Sequence, residues 1–390
     1  MDHINSKNII SYYLSIALLI SFLIGSFFVN LFSILISIYT FYWMVNNRNY
    51  SILIEKPFIF LSILFCLFLT SSMFSDYKFS SFENSIGFLL NFFLFISLVL
   101  IIFDDDRKLF QISKLVFLIV IFICFDLWLQ KYIGKNILGF PSQQAGRLTS
   151  IFKDEQIPGG FLFRLSPFII YYLFKEKKIN FIIRYKYFIM IFIYLSILIT
   201  GERAPSILST LLMLSLVISN FKSINKKELK KFTSLLVLIL IILLNQKNSI
   251  IKERIHYTIF KQSKNNVYIT FYKNSFEMFK KNFILGSGPQ TYRYECPKMS
   301  KTCSTHPHNF LVELFTDSGI LAPILFFISL LSLILNKIKK INDRFFKSMV
   351  VTYTILFFFP LIPTGSFFTS FHMTITWFSL GFLYSIKKIN

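Results

Sequence analysis

Residues 86–103 read IGFLLNFFLFISLVLIIF, eighteen positions without a charge, ending at the aspartates Asp104 to Asp106. A run of that length and apolarity is close to the roughly 20 residues a helix needs to cross a bilayer. No polar residue alternates along it, which favours a helix over a lipid-facing barrel strand. The reading of this stretch as a membrane-spanning helix sets the frame for the rest of the chain.

Similar runs recur on both sides of it. Spans are predicted near 9–26, 28–45, 57–74, 86–103, 114–133, 161–174, 187–200, 205–219, 233–245, 310–335, 348–363 and 371–386. That makes an all-α fold, a polytopic membrane helix bundle of about twelve transmembrane helices read as one integral membrane domain over 1–390. Composition agrees: 54% of residues are hydrophobic and only 15% charged, and the mean hydropathy is +0.61, too apolar for a soluble domain. The 51 phenylalanines accompany abundant Ile, Lys and Asn, as in an AT-rich coding sequence, and carry no functional argument. The first run follows MDHINSK and shows no small-residue cleavage site, so it reads as a retained span.

Charge sets the expected orientation. Arg48 and Lys56, Arg107 to Lys114, Lys175 to Lys186, Lys222 to Lys231, Lys337 to Lys347, and Lys387 with Lys388 fall in alternate loops, on one side of the predicted bundle. By the positive-inside rule that side is cytoplasmic, with both termini inside. The formal charge of +22 is thus largely topological, and scattered cations without a soluble domain exclude nucleic acid as a partner. The lipid bilayer is the first partner.

Two external segments are long enough to fold over the bundle, 131–160 and 246–308. Within the second, KNNVYITFYKNSFEMFKKNF (264–283) has apolar residues at helical spacing with lysines between them. That pattern suits a helix lying on a membrane surface and equally an ordinary packed loop helix. Cys66 and Cys124 lie in spans and read as packing. Cys296 and Cys303, in CPKMSKTC, lie on the external side, where a disulfide can form. Free thiols, or a zinc site shared with His306 and His308, are the alternatives, although the spacing matches no common zinc finger.

Two short motifs could carry chemistry. In STHPHNFLVELFTDSGILA (304–322) two of the chain's five histidines stand at the edge of an apolar segment. Pro307 biases His306 toward extended backbone, and Asn309 is a good N-cap for a helix beginning at NFLVELF. His308 would then precede a helix N-terminus, whose partial positive charge and apolar surroundings disfavour an imidazolium. A neutral imidazole can take a proton as a general base, or simply cap the helix. In ITGERAPSIL (199–208) an apolar run meets Gly-Glu-Arg and another apolar run starts at once. Arg203 is held at the bilayer edge, where a guanidinium needs a partner: Glu202, or a phosphate or diphosphate that fits its fork. Arg147 and Arg164 add cations on the same expected face, and Arg164 could instead snorkel from its span. The glycines of LGSGPQTY do not follow a strand, no P-loop is present, and no aspartate pair for a metal-bound sugar nucleotide is evident, so no metal or cofactor is implied.

Taken together these residues resemble the O-antigen ligase and Wzy-type polymerase superfamily. His308-Asn309, nine residues, Gly319, two residues and Ala322 is similar to the family's His-Asn, nine residues, Gly, two residues, Gly. His306, Leu311 and Asp317 fit that pattern, TGERAPSIL resembles the family's Ser-Arg-Gly helix start, FEMFKKNFILGSGPQTY its external segment, and AGRLTSIF an arginine-bearing upstream loop. The resemblance implies a GT-C-like bundle with a helical periplasmic loop in the bacterial inner membrane. It implies metal-independent, inverting transfer of a glycan from undecaprenyl diphosphate to an acceptor hydroxyl at the periplasmic face, the acceptor being lipid A core for a ligase or a growing glycan for a polymerase. A protein-glycosylating relative is a third possibility. His308 would be the catalytic base and Arg203 the catalytic holder of the diphosphate. Arg147, Arg164, His306, Asn309 and Asp317 are the further substrate-binding candidates, with Gly319, Cys296 and Cys303 structural. Three departures stand out: Ala322 replaces a glycine, Glu202 replaces a serine, and the family's second arginine is absent around Tyr268, leaving Arg254 or Lys273 as substitutes. The competing class is a glycan transporter or flippase, since arginines in membranes also mark substrate paths. No related halves of the kind common in transporters are visible.

Overall fold

The computed structural model of the chain describes residues 9–142, 147–153, 155–175, 184–220 and 267–386. Among the described residues the regular structure is helical, with one isolated bridge between Lys135 and Pro141. The span expected at 233–245, and Arg254, lie outside the described residues. The chain divides into two compact units, the first built from 1–109, 266–342 and 357–390, the second from 110–265 and 343–356.

The first unit opens with α1 (Ile9–Ile24), α2 (Ser26–Asn46), α3 (Lys56–Phe74) and α4 (Lys78–Ser97). Helix α4 runs on through a π-turn, Leu98–Ile102, so the stretch 86–103 is helical but with a wider last turn. The unit continues with the start of α5 (Asp106–Ile133), which crosses into the second unit. Five helices are long and apolar enough to cross a bilayer among the described residues: Ser26–Asn46, Lys56–Phe74, Lys78–Ile102, Asp106–Ile133 and Leu321–Lys340. Shorter apolar helices are Ile9–Ile24, Lys186–Ile199 and Arg203–Ile218. Such helices satisfy their own backbone, as an apolar solvent demands, and their hydroxyls do likewise. In α2, Ser33, Ser37 and Thr40 each donate to the carbonyl four residues earlier, at 2.7 Å.

The second unit holds most of α5, then α6 (Pro158–Lys175), α7 (Lys186–Ile199) and α8 (Arg203–Asn220), which pack on one another. The chain re-enters the first unit with α9 (Val267–Lys281), α10 (Tyr292–Met299), α11 (Phe310–Ser318) and α12 (Leu321–Lys340). Helix α13 (Arg344–Phe357) returns to the second unit, where its Phe346 ring meets Tyr171 and its Thr352 hydroxyl bonds that of Ser215. Helix α14 (Ser370–Ser385) ends the described chain on α4 and α2.

In the first unit α12 lies along α3, and α2, α3 and α14 surround α4. Aromatic rings fill the space between: Phe58 stacks on Phe95 at 5.3 Å, and Phe95 and Phe88 meet the fully buried Trp377. Aromatic pairs of this kind contribute about 0.5–1.5 kcal/mol each beyond their area. The phenylalanines are therefore used in packing.

One expected span is two elements. The single helix predicted over 310–335 breaks at Gly319, with α11 before it and α12 after. Gly319 has φ 72°, and a Cβ there would strike the backbone of Ile284. Its counterpart Gly286 has φ 69° and packs so closely that a Cβ would strike the backbone of Asp317 and Ser318. The turn after α9 thus crosses directly over the end of α11. Ser287 and Gly288 N–H donate to the carbonyls of Thr316 and Asp317, at 3.2 and 2.8 Å, and Ile320 N–H donates to Phe283 at 3.0 Å. For Gly319→Ala the left-handed backbone alone costs about 1–3 kcal/mol, before the clash. The expected result is a melting temperature several degrees lower in detergent, read by loss of monodisperse elution; an unchanged melting temperature would contradict the packing.

Candidate functional site

In the first unit the histidine motif forms where three segments meet. Asn309 adopts extended backbone (φ −153°, ψ 120°), and its side-chain oxygen accepts from the N–H groups of Leu311 and Val312, at 3.0 and 3.2 Å. That is the N-cap expected from the sequence, satisfying two orphan donors of α11. Its amide donates to Pro360 O at 2.7 Å, so the side chain ties the start of α11 to the segment before α14. Thr364 N–H donates to His308 O at 2.9 Å, and Phe310 N–H to Thr364 Oγ1 at 2.8 Å. The segment before α14 is thereby laced onto the motif.

His308 sits at φ 55°, a left-handed conformation uncommon for a residue with a side chain. Its ring stacks on Phe271 at 5.6 Å, meets Tyr268 edge-on at 5.7 Å and lies 4.3 Å from the ring of His306. Both aromatic neighbours come from α9. Burial holds the His308 imidazole below its ordinary range, and burial together with His308 and Arg293 pushes His306 down to about 4, against the Thr364 backbone. Both rings are therefore neutral at pH 7. Nε2 of His308 lies 3.0 Å from Ser304 Oγ.

Below the histidines, α11 carries two fully buried acids four residues apart, Glu313 and Asp317. Glu313 accepts from Ser366 Oγ and Phe367 N–H, both at 2.6 Å, and burial pushes it up to about 7. Asp317 accepts from Gln290 N–H at 2.8 Å, and burial, with Glu313 beside it, raises it well above the usual carboxylate range. Asp317 was expected to contact substrate; here it staples the turn between α9 and α10 to α11. Arg293, on α10, is the cation that pulls both acids back down. The sequence reading missed Arg293, because all three groups it acts on are distant in the chain. Lys273, a proposed stand-in for the family's second arginine, is exposed on α9. Cys296 and Cys303 are joined, with Cα atoms 5.8 Å apart, and pack with Tyr292, Met278 and Met299.

In the second unit the focus is the N-terminus of α6. Gly159 and Gly160 N–H donate to the two oxygens of Glu202, at 2.6 and 3.2 Å. Helix N-termini favour anions in this way. Burial pushes Glu202 up to about 7, against the pull of these amides and of Arg164 and Arg147. The acidic departure at Glu202 is thus committed to α6, 43 residues away, which lightens the negative charge it sets beside its neighbour Arg203. Arg203 is the first residue of α8, half-buried, where the helix end adds to its attraction for an anion.

A buried polar network ties the last turns of α5 to the loop that carries Arg147. Asp126 accepts from Ile137 N–H at 2.7 Å and from Ser150 Oγ, and Gln130 accepts from Thr149 and Ser150 N–H, at 3.0 and 2.9 Å. The Arg147 guanidinium donates to Gln156. Arg164 donates to Gly160 O at 3.1 Å, four residues back on α6. The second unit therefore gathers Arg147, Arg164, Glu202 and Arg203 around the start of α6 and α8, while the first gathers His306, His308, Asn309, Asp317 and Gly319.

Residues 188–327 match the family model described as O-antigen ligase, so this stretch is similar to that family. The match includes Arg203, Glu202 and the whole histidine motif, and leaves Arg147 and Arg164 outside. No curated protein matches the chain. The match, together with the five described helices long and apolar enough to cross a bilayer, makes the chain similar to membrane proteins of the O-antigen ligase type.

Proposed function

We propose that the protein is a membrane glycosyltransferase that moves a glycan from undecaprenyl diphosphate to an acceptor hydroxyl at the periplasmic face, as in O-antigen ligation to lipid A core or in O-antigen polymerisation. His308 takes the proton from the acceptor hydroxyl. The acceptor oxygen then forms a bond to the anomeric carbon from the face opposite the diphosphate, the carbon–oxygen bond to diphosphate breaks, and configuration inverts. Arg203 holds the departing diphosphate through its fork, with the α8 N-terminus behind it. Arg147 and Arg164 reinforce that positive field from the start of α6.

The observation that carries this reading is His308 itself: a neutral imidazole in a left-handed backbone, packed by Phe271, Tyr268 and His306 and with Nε2 beside Ser304 Oγ, inside the family-matched stretch. Strain of that kind persists where the surroundings overdetermine it. The test incubates purified protein with undecaprenyl diphosphate glycan, with and without lipid A core. Product only with core identifies a ligase, and chain growth from donor alone a polymerase. No transfer under either condition contradicts the proposal.

A further inference from the structure

We propose that Ser304 is the positioning residue for His308: its hydroxyl accepts the Nε2–H of the ring and leaves Nδ1 as the atom that takes the acceptor's proton. This rests on His308 as the base. The two side chains are 3.0 Å apart, four residues along the chain. Nδ1 of His308 makes no hydrogen bond among the described residues. If the hydroxyl instead donated to Nε2, the ring's hydrogen would sit on Nδ1 and no lone pair would be open to substrate. Only the tautomer with Nε2–H lets this imidazole act as a base at its open nitrogen.

The serine is itself fixed. Cys303, the residue before it, is tied to Cys296 on α10. That half-cystine is fully buried against Tyr292 and Met278, and the Asn274 amide of α9 donates to Cys296 Sγ at 3.3 Å. On the other side, Thr364 N–H holds the His308 carbonyl. Both ends of the five-residue turn Ser304 to His308 are therefore anchored, and the external clip acquires a purpose in the orientation of the imidazole. Neighbouring Phe271 fixes the plane of the ring but offers no acceptor. The charged and titratable groups around His308 are His306, Tyr268 and, through His306, Arg293; the hydrogen bond of the His308 ring goes to Ser304.

An accepting hydroxyl stabilises the imidazolium more than the neutral ring, so it raises the basicity of His308. Ser304→Ala should lower kcat about tenfold and move the acid limb of the pH–rate profile down by about one unit, with the donor KM unchanged. Ser304→Thr, which keeps the hydroxyl, should restore both, and Ser304→Val, its near-isostere without one, should not. The Thr and Val pair decides the matter if the alanine variant fails to fold. Four outcomes overturn the assignment. Wild-type kcat with an unmoved limb makes Ser304 a bystander, and reduced kcat with an unmoved limb makes it merely structural. Loss as complete as that of a His308 variant makes it a proton relay. Equal behaviour of the Thr and Val variants removes the hydroxyl from the argument. A fully active His308 variant would instead remove the base assignment, so the two failures are distinguishable.

Discussion

His308→Asn is expected to reduce transfer by about 10²- to 10⁴-fold while leaving the protein monodisperse and donor binding intact. Asparagine is the informative replacement. The backbone at this position has φ 55°, which asparagine tolerates better than most residues, and its amide cannot serve as a base near neutrality. Loss of turnover then reports chemistry and not a collapsed turn. The measurement is product formed from lipid-linked donor under single-turnover conditions, alongside donor binding. Full activity would remove the proton acceptor from the proposed reaction and leave His308 as a helix-terminal cap packed by Tyr268 and Phe271.

Arg203→Lys is expected to have the second largest effect, about 10²-fold in kcat. A lysine keeps the charge at the start of α8 and the helix unchanged, but an ammonium cannot make the paired bonds of a guanidinium to two phosphate oxygens. Because the leaving diphosphate gains charge as its bond breaks, the loss should fall more on kcat than on donor KM. Glu202 does not confound this test: its oxygens accept from Gly159 and Gly160 N–H, so its position is fixed by α6. Unchanged turnover and donor KM would show that Arg203 serves only contacts within the protein.

The helices of the first unit were legible because their signal is local. A run such as 28–45 or 57–74 carries no charged residue, its few polar ones being Ser, Thr or Asn, and α2 and α3 cover those positions to within two residues. The Asn309 cap was legible for the same reason, since an N-cap bonds within its own first turn. The break at Gly319 was not, because apolar residues continue on both sides of Asp-Ser-Gly and the cause lies in the backbone of Ile284, brought there by the turn after α9. Residue types marked the functional candidates, but not their partners. Glu202 looked like a mate for adjacent Arg203, but it precedes α8 and its oxygens are held by the first amides of α6. Asp317 matched a motif and proved to be a staple. Arg293 and Ser304 carried no local mark, and each became visible only through groups that the fold brings beside them.

The central claim is that a neutral imidazole at His308 accepts the proton of the attacking hydroxyl. The pH dependence of turnover tests it most directly. Burial lowers His308 below its ordinary value near 6.5, so the base is already free at neutral pH; the rate should be flat through pH 7 and fall only on acidification below about 6.5. That limb should vanish from the residual activity of His308→Asn. A limb at or above pH 7, or one that persists unchanged in the asparagine variant, would contradict the account.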